Sequence, residues 1–209
     1  MPKRIPQKSE EIPGMRTSRE YLEMQKRIGR FYFKNFLSIL ESFCKQGSFL
    51  EIGPGPGYQT AKIAQIFPET NITALEYSKD MIQVADEYIK DQGLQKRVKY
   101  IYGSVEDTKL LNSLGKFDVI YSTFSLHHWA DPKAAFSNLY NSLNNDGIII
   151  IYDFIRNGVF YYFFPRKGSW ASIRASYNPD EIGKILNDSG IQKFNIETKY
   201  PYMWTIIRK

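Results

Sequence analysis

The chain has 209 residues, 43% of them hydrophobic and 15% aromatic, with a formal net charge of +6. That length and apolar content suit one domain with a sizeable core and exclude an intrinsically disordered chain. No run approaches the roughly 18–20 apolar residues of a membrane span, the N-terminal "MPKRIPQKSEEIPGM" lacks the apolar stretch of a secretory signal, and the single cysteine, Cys44, excludes an internal disulfide and fits a reducing cytosol.

Residues 1–16, with three prolines and many charges, read as a mobile tail. "TSRE" at 17–20 fits a capping box with Thr17 as N-cap, and Tyr21, Met24, Ile28, Tyr32, Phe36, Ile39 and Phe43 then recur at spacings of three or four. The spacing predicts a helical segment over 17–47 with that set as its buried face and Gly47 as its stop. Residues 1–47 carry ten Lys/Arg and five Asp/Glu, against eighteen and seventeen in the remainder, so the excess charge is N-terminal. A basic helix of this kind is either a solvated face or a means of steering an anionic partner.

From residue 48 short apolar runs alternate with amphipathic helices. Strands are predicted at 48–53, 71–77, 98–102, 117–122 and 147–154, with helices at 58–67, 79–91 and 133–143, while 106–114 is ambiguous. The alternation implies a parallel sheet with helices on both faces. Asn178, Pro179 and Glu181 mark a further helix start, and 193–200 and 202–208 read as a C-terminal antiparallel hairpin turning at Pro201.

The first strand of this region ends in "FLEIGPGPGY", residues 49–58, where an open α/β sheet binds its ligands. A dinucleotide site would read G-x-G-x-x-G and present backbone N–H groups to a pyrophosphate. Here the spacing is G-x-G-x-G, and Pro54 and Pro56 have no N–H. A ligand with an ammonium group wants carbonyls and a carboxylate instead, which Gly53, Pro54, Gly55, Gly57 and Glu51 supply, the glycines letting the backbone come close.

"LEIGPGPGYQT" resembles motif I of the class I S-adenosylmethionine-dependent methyltransferases, and ordered matches follow along residues 48–208. The resemblance implies a Rossmann-like, doubly wound seven-stranded sheet, mostly parallel with a C-terminal antiparallel hairpin, carrying an N-terminal helical lid. On that reading 1–16 is a tail, 17–47 a helical segment and 48–209 the cofactor-binding domain. It implies S-adenosyl-L-methionine as cofactor, with Glu76 of "ALEYS" on the ribose hydroxyls and Tyr77 against adenine. In "YGSVED" the family's common Gly-Asp-Ala is replaced, so adenine recognition falls to Ser104, the Val105 backbone or Glu106. Ser122 and Thr123 end the fourth strand beside the same cofactor. "FDVIYSTFSLHHWADP" at 117–132 is similar to the branch that methylates small molecules, quinone precursors among them.

Candidates for a general base are His127 and His128, the only histidines, and Asp153 at the end of the fifth strand. Methyl transfer is an in-line displacement, and a base is needed only where the acceptor must lose a proton. Asp131–Pro132 reads as a helix cap. The Asn/Asp-Pro-Pro-aromatic motif for amide or adenine nitrogens is absent, as are the cysteines of cytosine-C5 and arsenite methylation; no metal site is expected. "GVFYYFFPRK" at 158–167 is open to three readings: an apolar substrate pocket, a lid, or a peripheral membrane contact. The expected function is methylation of a small, apolar or aromatic acceptor in the cytoplasm. The alternatives are an RNA methyltransferase using the basic N-terminal helix, although a nucleic-acid partner is not expected of the near-neutral body, and a non-catalytic cofactor-binding subunit.

Overall fold

The computed structural model describes residues 2–6, 14–43, 46–156 and 169–209. In chain order the elements are α1 (Met15–Phe43), β1 (Gly47–Ile52), α2 (Tyr58–Ile66), β2 (Thr70–Glu76), α3 (Lys79–Asp91), β3 (Val98–Tyr102), α4 (Thr108–Leu114), β4 (Phe117–Thr123), a 3-10 turn (Leu126–His128), α5 (Pro132–Asn141), β5 (Leu143–Phe154), α6 (Ser169–Ala175), α7 (Pro179–Asp188), β6 (Phe194–Lys199) and β7 (Tyr202–Arg208). One seven-stranded sheet runs in the order β3-β2-β1-β4-β5-β7-β6, parallel from β3 to β5 and antiparallel across β7 and β6. The doubly wound sheet with its C-terminal hairpin is thus the predicted one. Strand order reverses between β1 and β4, so the carboxyl ends of those two strands form the switch point where such sheets bind ligands.

Alternation along β1 builds the two layers. Leu50 and Ile52 join Leu111, Phe136, Leu139, Ile182 and Leu186 under α4, α5 and α7. Phe49 points the other way, into a core with Phe36 and Leu40 of α1, Ala61 and Ala64 of α2 and Ile89 of α3. Ile149–Ile151 is buried on both faces, as a central strand requires. The caps follow local chemistry: Asp131 accepts from the Ala134 N–H ahead of Pro132, and Asn178 and Glu181 close a reciprocal capping box.

Three expectations for the N-terminal helix need correction. It begins at Met15, so Thr17 lies inside its first turn and does not cap it. Its buried face is also rotated from the predicted one. Ser18, Leu22, Gln25, Phe33, Phe36 and Leu40 are buried, whereas Met24, Ile28 and Phe43 are exposed. The reason lies in what the helix covers. Its first half crosses the glycine loop, where close approach favours small and polar residues over the largest apolar ones. Residue 47 opens β1 rather than ending the helix. The ambiguous 106–114 is helical from Thr108 to Leu114. β5 begins four residues before the predicted 147, its pairing with β4 shifting register between Phe117 and Val119. Cys44, the 158–167 segment and half of the tail lie outside the described residues. Of the tail, Ile5 N–H bonds to the Arg174 carbonyl at 3.1 Å, joining this stretch to α6.

Candidate cofactor and acceptor site

The glycine loop holds Gly53, Gly55 and Gly57 at φ of 66°, 62° and 95°, conformations that L side chains rarely adopt. Gly53 is also confined by space. A Cβ there would lie 2.4 Å from Ser125 Oγ, because the β1 and β4 ends converge at the switch point. The loop has few N–H groups to offer. Gly53 N–H is bonded to the Leu75 carbonyl at 2.9 Å, Gly55 N–H to Glu76 Oε2 at 2.9 Å, and Pro54 and Pro56 have none.

Two carboxylates stand beneath and beside it. Glu51 is only 1% exposed and accepts from the Tyr121 hydroxyl at 3.0 Å. Burial pushes its pKa up to about 7, opposed by hydrogen bonds from Thr60 and Tyr121. Glu76 is buried too, and burial raises its pKa against backbone hydrogen bonds from Ser78 and Gly55. A pair of buried carboxylates repels a pyrophosphate and attracts a cation. The donor set therefore fits S-adenosylmethionine, which carries an ammonium, a sulfonium and a ribose diol but no phosphate. The residues that would hold it are those of the glycine loop, Glu76 and the neighbouring turns.

The raised pKa of Glu51 has a stability consequence. The folded state keeps its proton between about pH 4.5 and 7, where the unfolded chain has released it. The folded form thus binds more protons, and stability falls as pH rises through that window. Glu51→Gln is expected to raise Tm at pH 8, by an amount on the order of 1–3 kcal/mol of stability, and to change it little at pH 4.5. Thermal melts of both proteins at the two pH values check this; an equal change at both would show that ionisation of Glu51 is not the cause.

The remaining sequence-predicted cofactor residues lie at or just beyond the ends of β2, β3 and β4. Tyr77 is 50% exposed at the end of β2 and stacks on Tyr102, ring centroids 6.0 Å apart. Glu106 ties two loops together: Oε1 accepts from Ala130 N–H at 2.7 Å and Asp131 N–H at 3.0 Å, while Oε2 accepts from the Ser104 hydroxyl at 2.9 Å. The polar ends of Ser104 and Glu106 are thus turned to each other. The Val105 side chain is buried and its carbonyl accepts from Asn138. Ser122 donates to the Ile52 carbonyl at 3.0 Å, bridging β4 to β1, and Thr123 donates to Gln59 Oε1 at 2.7 Å.

The three base candidates come together at the mouth of β4 and β5. His127 Nδ1 lies 2.8 and 2.9 Å from the two Asp153 carboxylate oxygens, and its backbone N–H bonds to Asp153 Oδ2 at 3.0 Å. The carboxylate holds the proton on Nδ1 and leaves the Nε2 lone pair available. Nε2 is buried with no hydrogen-bond partner among the described residues. The His128 ring lies 4.1 Å from that of His127, and burial, then the neighbouring His127 ring, lowers the His128 pKa to about 4, so it stays neutral. Arg4 fixes this turn from outside: it donates to the carbonyls of Ala175 at 2.5 Å and His127 at 3.1 Å, with its guanidinium 4.0 Å over the Tyr177 ring.

Beside the dyad is an aromatic cluster that the sequence did not disclose. Phe124 follows β4 at φ 54°, an unusual conformation for a bulky residue. Its ring meets those of Tyr32, Phe33, Tyr152, Phe154 and Tyr202 at centroid distances of 4.8–6.3 Å. Phe154 in turn lies 6.3 Å from the His127 ring. Gln59 was also missed, although it stands in the quoted "GYQT", because neither period nor motif marks a single buried amide.

Comparison with known proteins agrees with this geometry. Residues 50–151 match the methyltransferase-domain family Methyltransf_11. A malonyl-[acyl-carrier protein] O-methyltransferase of Bacillus anthracis is 30% identical over 138 residues, 65% of this chain and 47% of that protein. The chain thus spans about half the length of such curated relatives. Among solved structures, a proposed S-adenosyl-L-methionine-dependent methyltransferase of Methanococcus maripaludis is similar over the full chain and 97% of its own, with a TM-score of 0.77 at 22% identity. PigF, solved with SAH, is similar over 94% of this chain and 60% of its own, with a TM-score of 0.74 at 17% identity.

Proposed function

We propose that this chain is a class I S-adenosylmethionine-dependent methyltransferase, a reading supported by its fold and by the family match over residues 50–151, and that it methylates an ionisable oxygen on a small, apolar or aromatic acceptor. The cofactor supplies an electrophilic methyl group on a good leaving group. The work left to the protein is to align the acceptor, remove its proton and exclude water.

The observation that carries the reading is the His127–Asp153 pair, with Nδ1 bonded and Nε2 unpartnered among the described residues. Asp153 orients the ring and stabilises the imidazolium that forms when Nε2 takes the acceptor proton. The aromatic rings around Phe124 form an apolar wall next to it, suited to a flat or greasy substrate. A base favours a hydroxyl or phenol over a carboxyl acceptor, since a carboxyl is already ionised at neutral pH. The near-neutral balance of residues 48–209, eighteen Lys/Arg against seventeen Asp/Glu, favours a small molecule over RNA. A cytosolic setting is in keeping with a chain of one cysteine.

The test is incubation with methyl-labelled S-adenosylmethionine and a panel of phenols and matched carboxylic acids. A base-stable labelled ether from the phenols is the expected product. A base-labile ester from the acids alone would assign the carboxyl as acceptor and remove the need for the dyad.

A further inference from the structure

Residues 2–5, Pro-Lys-Arg-Ile, have the composition of a tail, yet the protein holds them at both ends. Ile5 N–H bonds to the Arg174 carbonyl at 3.1 Å. The Pro2 carbonyl accepts from Arg156, whose guanidinium also pairs with Glu181 and donates through Nε to the Ser176 carbonyl at 3.1 Å. Arg156 is 2% exposed, and a buried cation must be paired, so the Pro2 carbonyl is part of what makes that burial tolerable. Residues 2–5 form a strap across the connection between α6 and α7.

Arg4, inside the strap, reaches further. Its Nε donates to the Ala175 carbonyl at 2.5 Å and its Nη2 to the His127 carbonyl at 3.1 Å, with the guanidinium 4.0 Å over the Tyr177 ring. Both carbonyls are ones that their own elements leave over. Ala175 ends α6, and a helix has no internal partner for its last carbonyls. In the 3-10 turn the N–H groups of His128 and Trp129 end on the Ser125 and Leu126 carbonyls, so the His127 carbonyl lies outside the turn's own bonding. A planar guanidinium can set two donors on carbonyls of two separate segments while its face rests on a ring; a lysine ammonium has neither the fork nor the flat face.

His127 is therefore gripped on two sides. Asp153 takes its backbone N–H and its ring Nδ1, and Arg4 takes its carbonyl. The strand of Asp153 runs on to Arg156, three residues later, which holds Pro2. The strap is thus anchored on the chain segments of both dyad members. The direction of Nε2 depends on the tilt of one short turn, and a reacting group displaced by about 1 Å can cost a hundredfold in rate. We infer that Arg4 is a positioning residue for the His127 base, and that residues 2–5 are the strap that keeps it in place. This inference rests on the reading of His127 as the base and deepens it. Arg4 acts through the His127 peptide and not on the acceptor.

Arg4→Met keeps much of the apolar stem and removes every donor. The chain has two histidines, so imidazole nitrogen NMR resolves His127 from His128 without any substrate. The Nδ1 proton of His127, buried against Asp153, should exchange slowly in wild type and at least about tenfold faster in Arg4→Met. S-adenosylhomocysteine affinity within about twofold of wild type shows that the variant is folded. With a phenol that the wild type methylates, kcat should fall about 10–100-fold at unchanged KM, and Arg4→Lys should recover only part of it. In the His127→Ala background Arg4→Met should cost less than about twofold, since the group it positions is gone. An unchanged Nδ1 proton exchange rate, or an equal loss of kcat in the His127→Ala background, would overturn the inference. Full activity of His127→Ala itself would instead overturn the base reading, and the exchange rate would still decide whether Arg4 holds the ring.

Discussion

His127→Ala should lower kcat/KM by about 10²–10⁴-fold while leaving S-adenosylhomocysteine affinity unchanged, because the imidazole acts on the acceptor proton and not on the cofactor. Asp153→Asn keeps the size of the side chain but no longer favours the Nδ1–H tautomer, so its loss should be comparable. Asp153 also accepts the His127 N–H on Oδ2 and the Phe154 N–H on Oδ1, so the amide variant keeps an acceptor for only one of them, and its fold is checked by S-adenosylhomocysteine binding. As the two residues act as a unit, the double variant should be hardly worse than either single one. The pH profile separates a base from a structural prop. With a phenolic acceptor the activity of His127→Ala should climb about tenfold per pH unit towards the substrate's own pKa, as the substrate ionises without help. Equal losses at every pH would mean that His127 only holds the turn together.

Glu76→Ala should weaken S-adenosylhomocysteine binding by about a hundredfold. Two charge-assisted hydrogen bonds to a diol are worth roughly 1.5–3 kcal/mol each, less what water recovers. The carboxylate already binds the Gly55 and Ser78 N–H groups, both at 2.9 Å, so it is held rigid before any ligand arrives. The same bonds mean that alanine would also loosen the loop. A deoxyribose analogue of the ligand resolves the two effects by a thermodynamic cycle: loss of the hydroxyl should cost wild type much and Glu76→Ala little. An equal cost in both proteins would remove Glu76 from the ribose.

The sheet was legible because each strand announces itself over several residues. "FLEI", "FDVIYS" and "GIIIIYDF" are runs whose burial is decided by many side chains at once, and the glycine loop is marked by backbone needs that only a few residue types meet. The three base candidates were legible as residue types at strand ends, where parallel sheets gather their chemistry. What was not legible depends on single contacts between distant segments. The helix face was read as Tyr21, Met24 and Ile28 because those side chains are apolar, yet only Tyr21 of the three meets the loop, Met24 and Ile28 are exposed, and Ser18, Leu22 and Gln25 are buried. The apolar period assumes a dry core beneath the helix, and beneath this one lies a polar loop. Phe124 and its φ of 54° are likewise set by the junction of β4 with neighbours that the sequence places far away. Arg4, within a stretch that looks like a tail, reaches the His127 carbonyl through tertiary contact alone. The departures fall at the site, where binding chemistry overrides local preference.

The most direct test of the account is to supply the protein with methyl-labelled S-adenosylmethionine and a cell extract divided into small molecules, protein and RNA. The account predicts label in the small-molecule fraction, with one equivalent of S-adenosylhomocysteine formed per methyl transferred. Label in the RNA or protein fraction, or cofactor binding with no transfer to any fraction, would contradict it.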